Sequence, residues 1–163
     1  QMLMGSLTAQ HGWVGRNHPR RLLVYRLDAD AALPAAPQPS RPSAIDDTDF
    51  VIDPAQAEAG KALYFRHCAI CHGSGVVAGG YAPDLRASGI PLTQAGFTAI
   101  VRDGGLVSRG MPVFPEYSDE QLQALRHYIR QQARHQASAW DDLKAAWNFI
   151  VLLIKMKWAS LTS

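Results

Sequence analysis

The sequence predicts a mainly α-helical fold organised around one short motif, and three observations predict it. Apolar residues recur at helical spacing in three separate stretches: Ala62, Phe65 and Ala69; Phe97, Ile100 and Val101; and Leu122, Leu125, Ile129 and Ala133. Glycine and proline gather between those stretches rather than inside them. The only two cysteines stand in the run Cys68-Ala69-Ile70-Cys71-His72, at the end of the first helical stretch.

A C-x-x-C-H run is the attachment pattern of a c-type haem. Two thiols three residues apart can each add to one vinyl group of the porphyrin, and the histidine directly after the second is then held beneath the ring to ligate iron. Other uses of a C-x-x-C pair are a thioredoxin-like redox couple, half of a zinc site, or a disulfide. The redox couple needs a parallel-sheet context that the surrounding Gly- and Pro-rich sequence does not offer. A zinc site needs two further ligands, and no histidine pair sits at ligand spacing.

Haem iron held this way takes a second axial ligand, for which methionine and histidine are the usual candidates. Among the four methionines, Met2 and Met4 lie at the start of the chain and Met156 falls in an apolar helical pattern, where it reads as packing filler. Met111 sits in Arg109-Gly110-Met111-Pro112-Val113-Phe114-Pro115, whose prolines stiffen an extended loop able to present a thioether to a fixed point. The bland alternative is a buried methionine in a proline-rich turn. A bis-histidine site would draw on His127 or His135, which fall in a charged helical segment read as a solvated face; His67 is poorly placed for the opposite side of the ring.

From about Phe50 to Arg134 the chain resembles a class I cytochrome c domain. The motifs that carry the resemblance are the helix running into C-x-x-C-H, the loop Ala82-Pro83-Asp84-Leu85, a short middle helix, the Gly-Met-Pro loop and a last helix. The resemblance implies a class I cytochrome c helical fold around one covalent haem, with Cys68, Cys71, His72 and Met111 holding the cofactor. It implies that Pro83 packs on the proximal histidine side. Arg86, Arg102 and Arg109 are candidates for the haem propionates, since a guanidinium offers a planar fork to a carboxylate. Arg109 stands out because it neighbours the ligand loop, and the alternative for all three is a solvated surface arginine.

In chain order, residues 1–33 come first. A β-favouring run from Leu22 to Leu27 follows His11-Gly12-Trp13 and Pro19. One strand without a partner cannot satisfy its backbone, so it belongs to a sheet outside this chain or to a hairpin arm on the haem domain. The segment resembles the closing strand of the propeller in pyrroloquinoline-quinone (PQQ) dependent alcohol dehydrogenases, in whose quinohaemoprotein members a cytochrome c domain follows the propeller. That resemblance implies PQQ and calcium in a missing upstream domain, none of whose pocket residues is present here. Residues 34–48 hold Pro34, Pro37, Pro39 and Pro42, a polyproline-type spacer rising about 3.1 Å per residue.

The cytochrome domain spans 49–136. Asp53 with Pro54 starts its first helix, Thr93 starts the second, which Gly104-Gly105 closes, and Ser118-Asp119-Glu120-Gln121 forms a capping box for the last. Crossing of the first and last helices makes Phe65 a contact candidate for Leu125 or Ile129. Glycines at 73, 75, 79 and 80 let the backbone pass close to a planar cofactor. Residues 137–163 carry a second capping signature, Ser138 with Asp141, and then a stripe that includes Trp140, Leu143, Trp147, Ile154 and Trp158. An amphipathic C-terminal helix is expected, too short in its apolar part to span a bilayer; it lies at a membrane interface or packs on protein.

The 163 residues, 47% hydrophobic, are enough for one modest core, and a net charge of +2 without clustered basic residues argues against a nucleic-acid partner. Covalent haem attachment implies the periplasmic side of a bacterial membrane, and the opening residues show no signal-peptide pattern, which reads as a fragment or processed piece. Two functional classes follow. The chain is an electron-transfer module that accepts single electrons from a PQQ dehydrogenase and passes them to an external acceptor, a cytochrome, a copper protein or a quinone. Alternatively, it is a free-standing diffusible cytochrome c. On its own, no residue set in the chain oxidises an alcohol.

Overall fold

Asp53 opens the helical body. Its carboxylate accepts the amide protons of Ala55 at 2.8 Å and Gln56 at 3.3 Å, and Pro54 takes the first helical position, where a missing N–H costs nothing. Helix α1 runs Pro54–His67, and one further turn of helix, α2, runs Ala69–His72. Helix α3, Gln94–Val101, starts at Thr93, whose hydroxyl accepts from the Gly96 amide. Helix α4, Asp119–Leu161, starts with a reciprocal cap: Gln121 N–H donates to Ser118 Oγ and Ser118 N–H donates to Gln121 Oε1. The caps predicted at Asp53, Thr93 and Ser118 form as expected. This computed structural model describes residues 22, 24–28, 30, 32, 42–45, 47–78 and 82–161, and among them there is no strand.

The strand expected at 22–27 is therefore corrected: Leu22, Val24, Tyr25 and Arg26 are irregular, Leu27 and Asp28 form a turn, and the apolar side chains are exposed. No second strand among the described residues offers its ladder of hydrogen bonds, and a lone strand has no other way to satisfy its backbone. Residues 1–21, with most of the proline-rich spacer, lie outside the described residues, as do Gly79 and Gly80.

The core forms where α1 crosses α4. Ala57, Gly60 and Tyr64 face inward against Leu122, Ala124, Leu125, Tyr128 and Ile129, with the Tyr64 and Tyr128 rings 5.1 Å apart. Gly60 is the point of closest approach. A methyl group there would lie 1.9 Å from the Ala124 carbonyl oxygen, so only glycine lets the two backbones meet. This crossing rotates α1 away from the face suggested by Ala62, Phe65 and Ala69. Phe65 is 51% exposed, and Tyr64 takes the inward place expected of it.

Charged residues on α4 also turn inward. Arg126, Arg130 and Arg134 stand four residues apart on one face and clamp backbone carbonyls of earlier segments. Arg126, only 5% exposed, donates to Pro91 O at 2.9 Å and Leu92 O at 3.0 Å while lying over the Phe50 ring. Arg130 donates to Ile45 O, and Arg134 to Asp47 O and Phe50 O. His127, between them, accepts the Asp53 amide proton at Nδ1 and lies 4.8 Å from the Phe50 ring. The segment 45–50 is thus strapped onto the body, and His127 is half-buried rather than part of a solvated face.

Helix α4 does not break where a second cap was expected. The backbone stays helical through residue 138, giving a 43-residue element about 65 Å long. No glycine or proline occurs between Asp119 and Leu161, so nothing stops propagation once the first turns are packed. Leu143, Trp147, Phe149, Ile150 and Ile154 on its distal part are between 47% and 66% exposed. Among the described residues no helix is long and apolar enough to cross a membrane.

Gly60→Ala is expected to destabilise the haem-loaded chain by about 1–3 kcal/mol, the usual range for overpacking, read as a lower denaturant midpoint. A pH dependence follows from His127. Burial holds its ring below the usual histidine range of 6.5, with the Asp53 charge opposing and the Arg126 charge adding. The unfolded ring is the more basic, so this contribution to stability is complete above about pH 6.5 and is lost as pH falls toward the folded value. Denaturation midpoints at pH 8 and pH 5 should therefore differ less in His127→Gln than in the parent chain.

Candidate haem site

The motif is shaped by one turn of helix. His72 N–H donates to Cys68 O at 2.9 Å and Cys71 N–H to the same oxygen at 3.2 Å, closing the turn. Positions i, i+3 and i+4 share a helix face, so Cys68, Cys71 and His72 are brought to one side. Both thiols are free and partly buried. Burial, reinforced by Cys71, pushes the Cys68 thiol up to about 12.

His72 is buried, and its Nδ1 lies 2.9 Å from the Pro83 carbonyl oxygen. A carbonyl can only accept, so Nδ1 carries the proton and Nε2 keeps its lone pair. Burial lowers the basicity of the ring, while the Pro83 bond and the Asp84 charge oppose it. The ring is therefore held in the neutral, ligating form, with the remaining nitrogen oriented from behind.

The chain leaves the motif through Gly73, at φ 79°, where a side chain would be strained. The Tyr64 hydroxyl donates to Gly73 O at 2.7 Å and pins this exit. Three residues on, buried Val76 holds a φ of 66°, an uncommon conformation for a β-branched residue that costs on the order of 1–3 kcal/mol. The Pro83 loop is braced in turn by Asp84, which accepts from the Arg86 amide at 3.0 Å and from its guanidinium at 2.9 Å and 2.6 Å.

Met111 follows Gly110, whose φ of 86° turns the chain, and its amide donates to Leu106 O. The loop is fixed again at Phe114, which donates to Val101 O at 2.9 Å and stacks on Tyr117 at 5.5 Å. Met111 is half-buried and packs on the same core cluster as Cys68, Ala69, Leu85, Ile90 and Phe114. The His67 ring stands edge-on to Phe114 and Tyr117.

Of the residues picked out from the sequence, Cys68, Cys71, His72 and Pro83 come together directly and Met111 joins the cluster that includes Cys68. Pro83 meets His72 through its carbonyl; its own ring is exposed. Arg109 is exposed at the end of a turn leading into the Met111 loop. Arg86 is engaged by Asp84, and Arg102 by Asp119 at 2.6 Å. Tyr64 was missed, although its place four residues before Cys68 put it on the same helix face as the motif. Two free thiols, an imidazole with one nitrogen committed behind it, and a loop-borne thioether form a donor set that suits a covalently held haem.

Residues 55–129 match the family described as cytochrome c oxidase, cbb3-type, subunit III. These residues carry a cytochrome c domain. Its haem is of the covalent c type, carried by a cytochrome c domain that mediates electron transfer. The chain is 36% identical over 132 residues to quinohemoprotein alcohol dehydrogenase ADH IIB of Pseudomonas putida, an alignment covering 76% of this chain and 19% of that protein. It is 31% identical to the dehydrogenase subunit of the alcohol dehydrogenase (quinone) of Gluconobacter oxydans, covering 90% of this chain and 19% of that one. It is 37% identical to lupanine 17-hydroxylase [cytochrome c] of a Pseudomonas species, covering 71% and 16%. The cytochrome c chain thus spans less than a fifth of the length of these relatives.

Tyr64→Phe leaves the buried Gly73 carbonyl without its donor. A loss of about 1–3 kcal/mol is expected, read by chemical denaturation of the haem-loaded cytochrome c chain.

Proposed function

We propose that this cytochrome c domain accepts single electrons from a PQQ-type alcohol dehydrogenase site and passes them to an external acceptor. Cys68 and Cys71 would hold the haem through thioether links, and His72 Nε2 and the Met111 sulfur would ligate its iron. The observation that carries this reading is the His72 ring, buried beside two free thiols with Nδ1 committed to the Pro83 carbonyl. Haem c supplies a one-electron iron couple when bound.

The remaining work falls to the protein. The Pro83 carbonyl fixes the orientation of the His72 ring and strengthens Nε2 as a donor. Gly110 and the Phe114 anchor fix the backbone of the loop that carries Met111. The apolar cluster behind Cys68 and Met111 keeps water from the donors and favours the less charged state of the site.

The donor assignment draws on the relatives, two of which are named as quinone or quinohemoprotein alcohol dehydrogenases. In this reading PQQ and calcium belong to an upstream catalytic domain, and the protein works in the periplasm. The distal part of α4 lies on a membrane surface: its exposed Leu143, Trp147, Ile150 and Ile154 enter the interface, and Lys155 and Lys157 follow in the sequence to meet anionic lipid. Arg109, exposed beside the ligand loop, is a candidate partner for a propionate.

Met111→Ala should open one axial position, giving new binding of carbon monoxide and a lower reduction potential, since methionine ligation raises it. An unchanged ligand spectrum and potential would remove Met111 from the site. The parent chain should co-sediment with anionic vesicles and a Trp147→Glu, Ile154→Glu variant should not; equal failure of both would favour packing of α4 on protein.

A further inference from the structure

The residue next to Pro83 begins a line of contacts that leaves the motif altogether. Asp84 holds Arg86 through both carboxylate oxygens, and the two side chains are only 11% and 15% exposed. The Arg86 carbonyl accepts the Ile45 amide proton at 2.9 Å, and Ile45 O in turn accepts from Arg130 of α4. The pair is therefore fixed from three sides, by its own bidentate geometry, by the strap and by the longest helix.

A partly buried bidentate pair of this kind keeps its charges at defined positions and less screened by salt than an exposed pair. The pair stands at the histidine end of the site, since Asp84 directly follows Pro83, whose carbonyl lies 2.9 Å from His72 Nδ1. Ferric haem iron carries one more positive charge than ferrous iron, so a nearby carboxylate favours the oxidised state and a nearby guanidinium the reduced one.

We propose that Asp84 and Arg86 are positioning residues for His72 whose opposed charges set the reduction potential of the haem iron. The pair steadies the loop that offers the Pro83 carbonyl, and it balances a carboxylate that would otherwise bias the site toward the ferric state. The proposal rests on His72 being an axial ligand.

Spectroelectrochemical titration of the haem-loaded chain tests it with Asp84→Asn and Arg86→Gln at one pH. The expected result is a higher potential in Asp84→Asn and a lower one in Arg86→Gln, with the low-spin spectrum kept in both. A role limited to holding the loop would shift the two in the same direction, and that result, or no shift in either, overturns the proposal. If a single variant fails to take up haem, Asp84→Glu and Arg86→Lys decide instead: retained charges should leave the potential near that of the parent, and a large change would count against them. His72→Ala separates the premise from the inference. An unchanged low-spin spectrum there sinks the ligand assignment, whereas its loss together with same-direction shifts in the pair sinks this proposal alone.

Discussion

The close crossing of α1 over α4 at Gly60 fixes the geometry on which the haem site depends. Because the Ala124 carbonyl sits where a side chain would begin, α1 has one rotation about its axis that brings the backbones together. That rotation buries Tyr64 one turn later, and the Tyr64 hydroxyl then reaches Gly73 on the far side of the motif. Cys68, Cys71 and His72 lie between these two anchors. The haem-binding turn is therefore placed by a contact eight residues before its first cysteine, made of backbone and a missing methyl group.

A second constraint comes from arginines used as backbone clamps. Burying a charge without partners is costly, and α4 buries two guanidinium groups almost completely. Arg126 resolves this with several carbonyl and amide oxygens and an aromatic face, so the charge is met by aligned dipoles rather than by a carboxylate. The result is a strap at 45–50 and a turn at 91–92 tied to one helix.

The histidine side of the site joins these two constraints. The Pro83 carbonyl, the Asp84–Arg86 pair and the strap form one hydrogen-bonded sequence ending on His72 Nδ1. The methionine side is built differently, from a left-handed glycine, two prolines and stacked aromatics. The His72 ring is thus held by polar contacts that carry charge and the Met111 loop by shape.

Much of this protein could be read from its residues because the deciding interactions are local. The Cys68, Cys71 and His72 spacing, the Asp53, Thr93 and Ser118 caps and the turn glycines each act within a few positions, and a short window of sequence contains both partners. The inward phase of α1 could not be read that way. Ala62 and Phe65 fit a helical period as well as Ala57, Gly60 and Tyr64 do, and only the approach of a helix some sixty residues later selects between them. The same holds for Arg126, Arg130 and His127, which look like a solvated face until residues 45–53 and 91–92 fold over them. The run at 22–27 is β-favouring yet irregular, because a strand exists only with a partner, and none is described. The sequence by itself determined the motif, the helix starts and the loop that bears Met111; tertiary structure decided which faces turn inward and which charges are buried, because both depend on surfaces that meet across long stretches of chain.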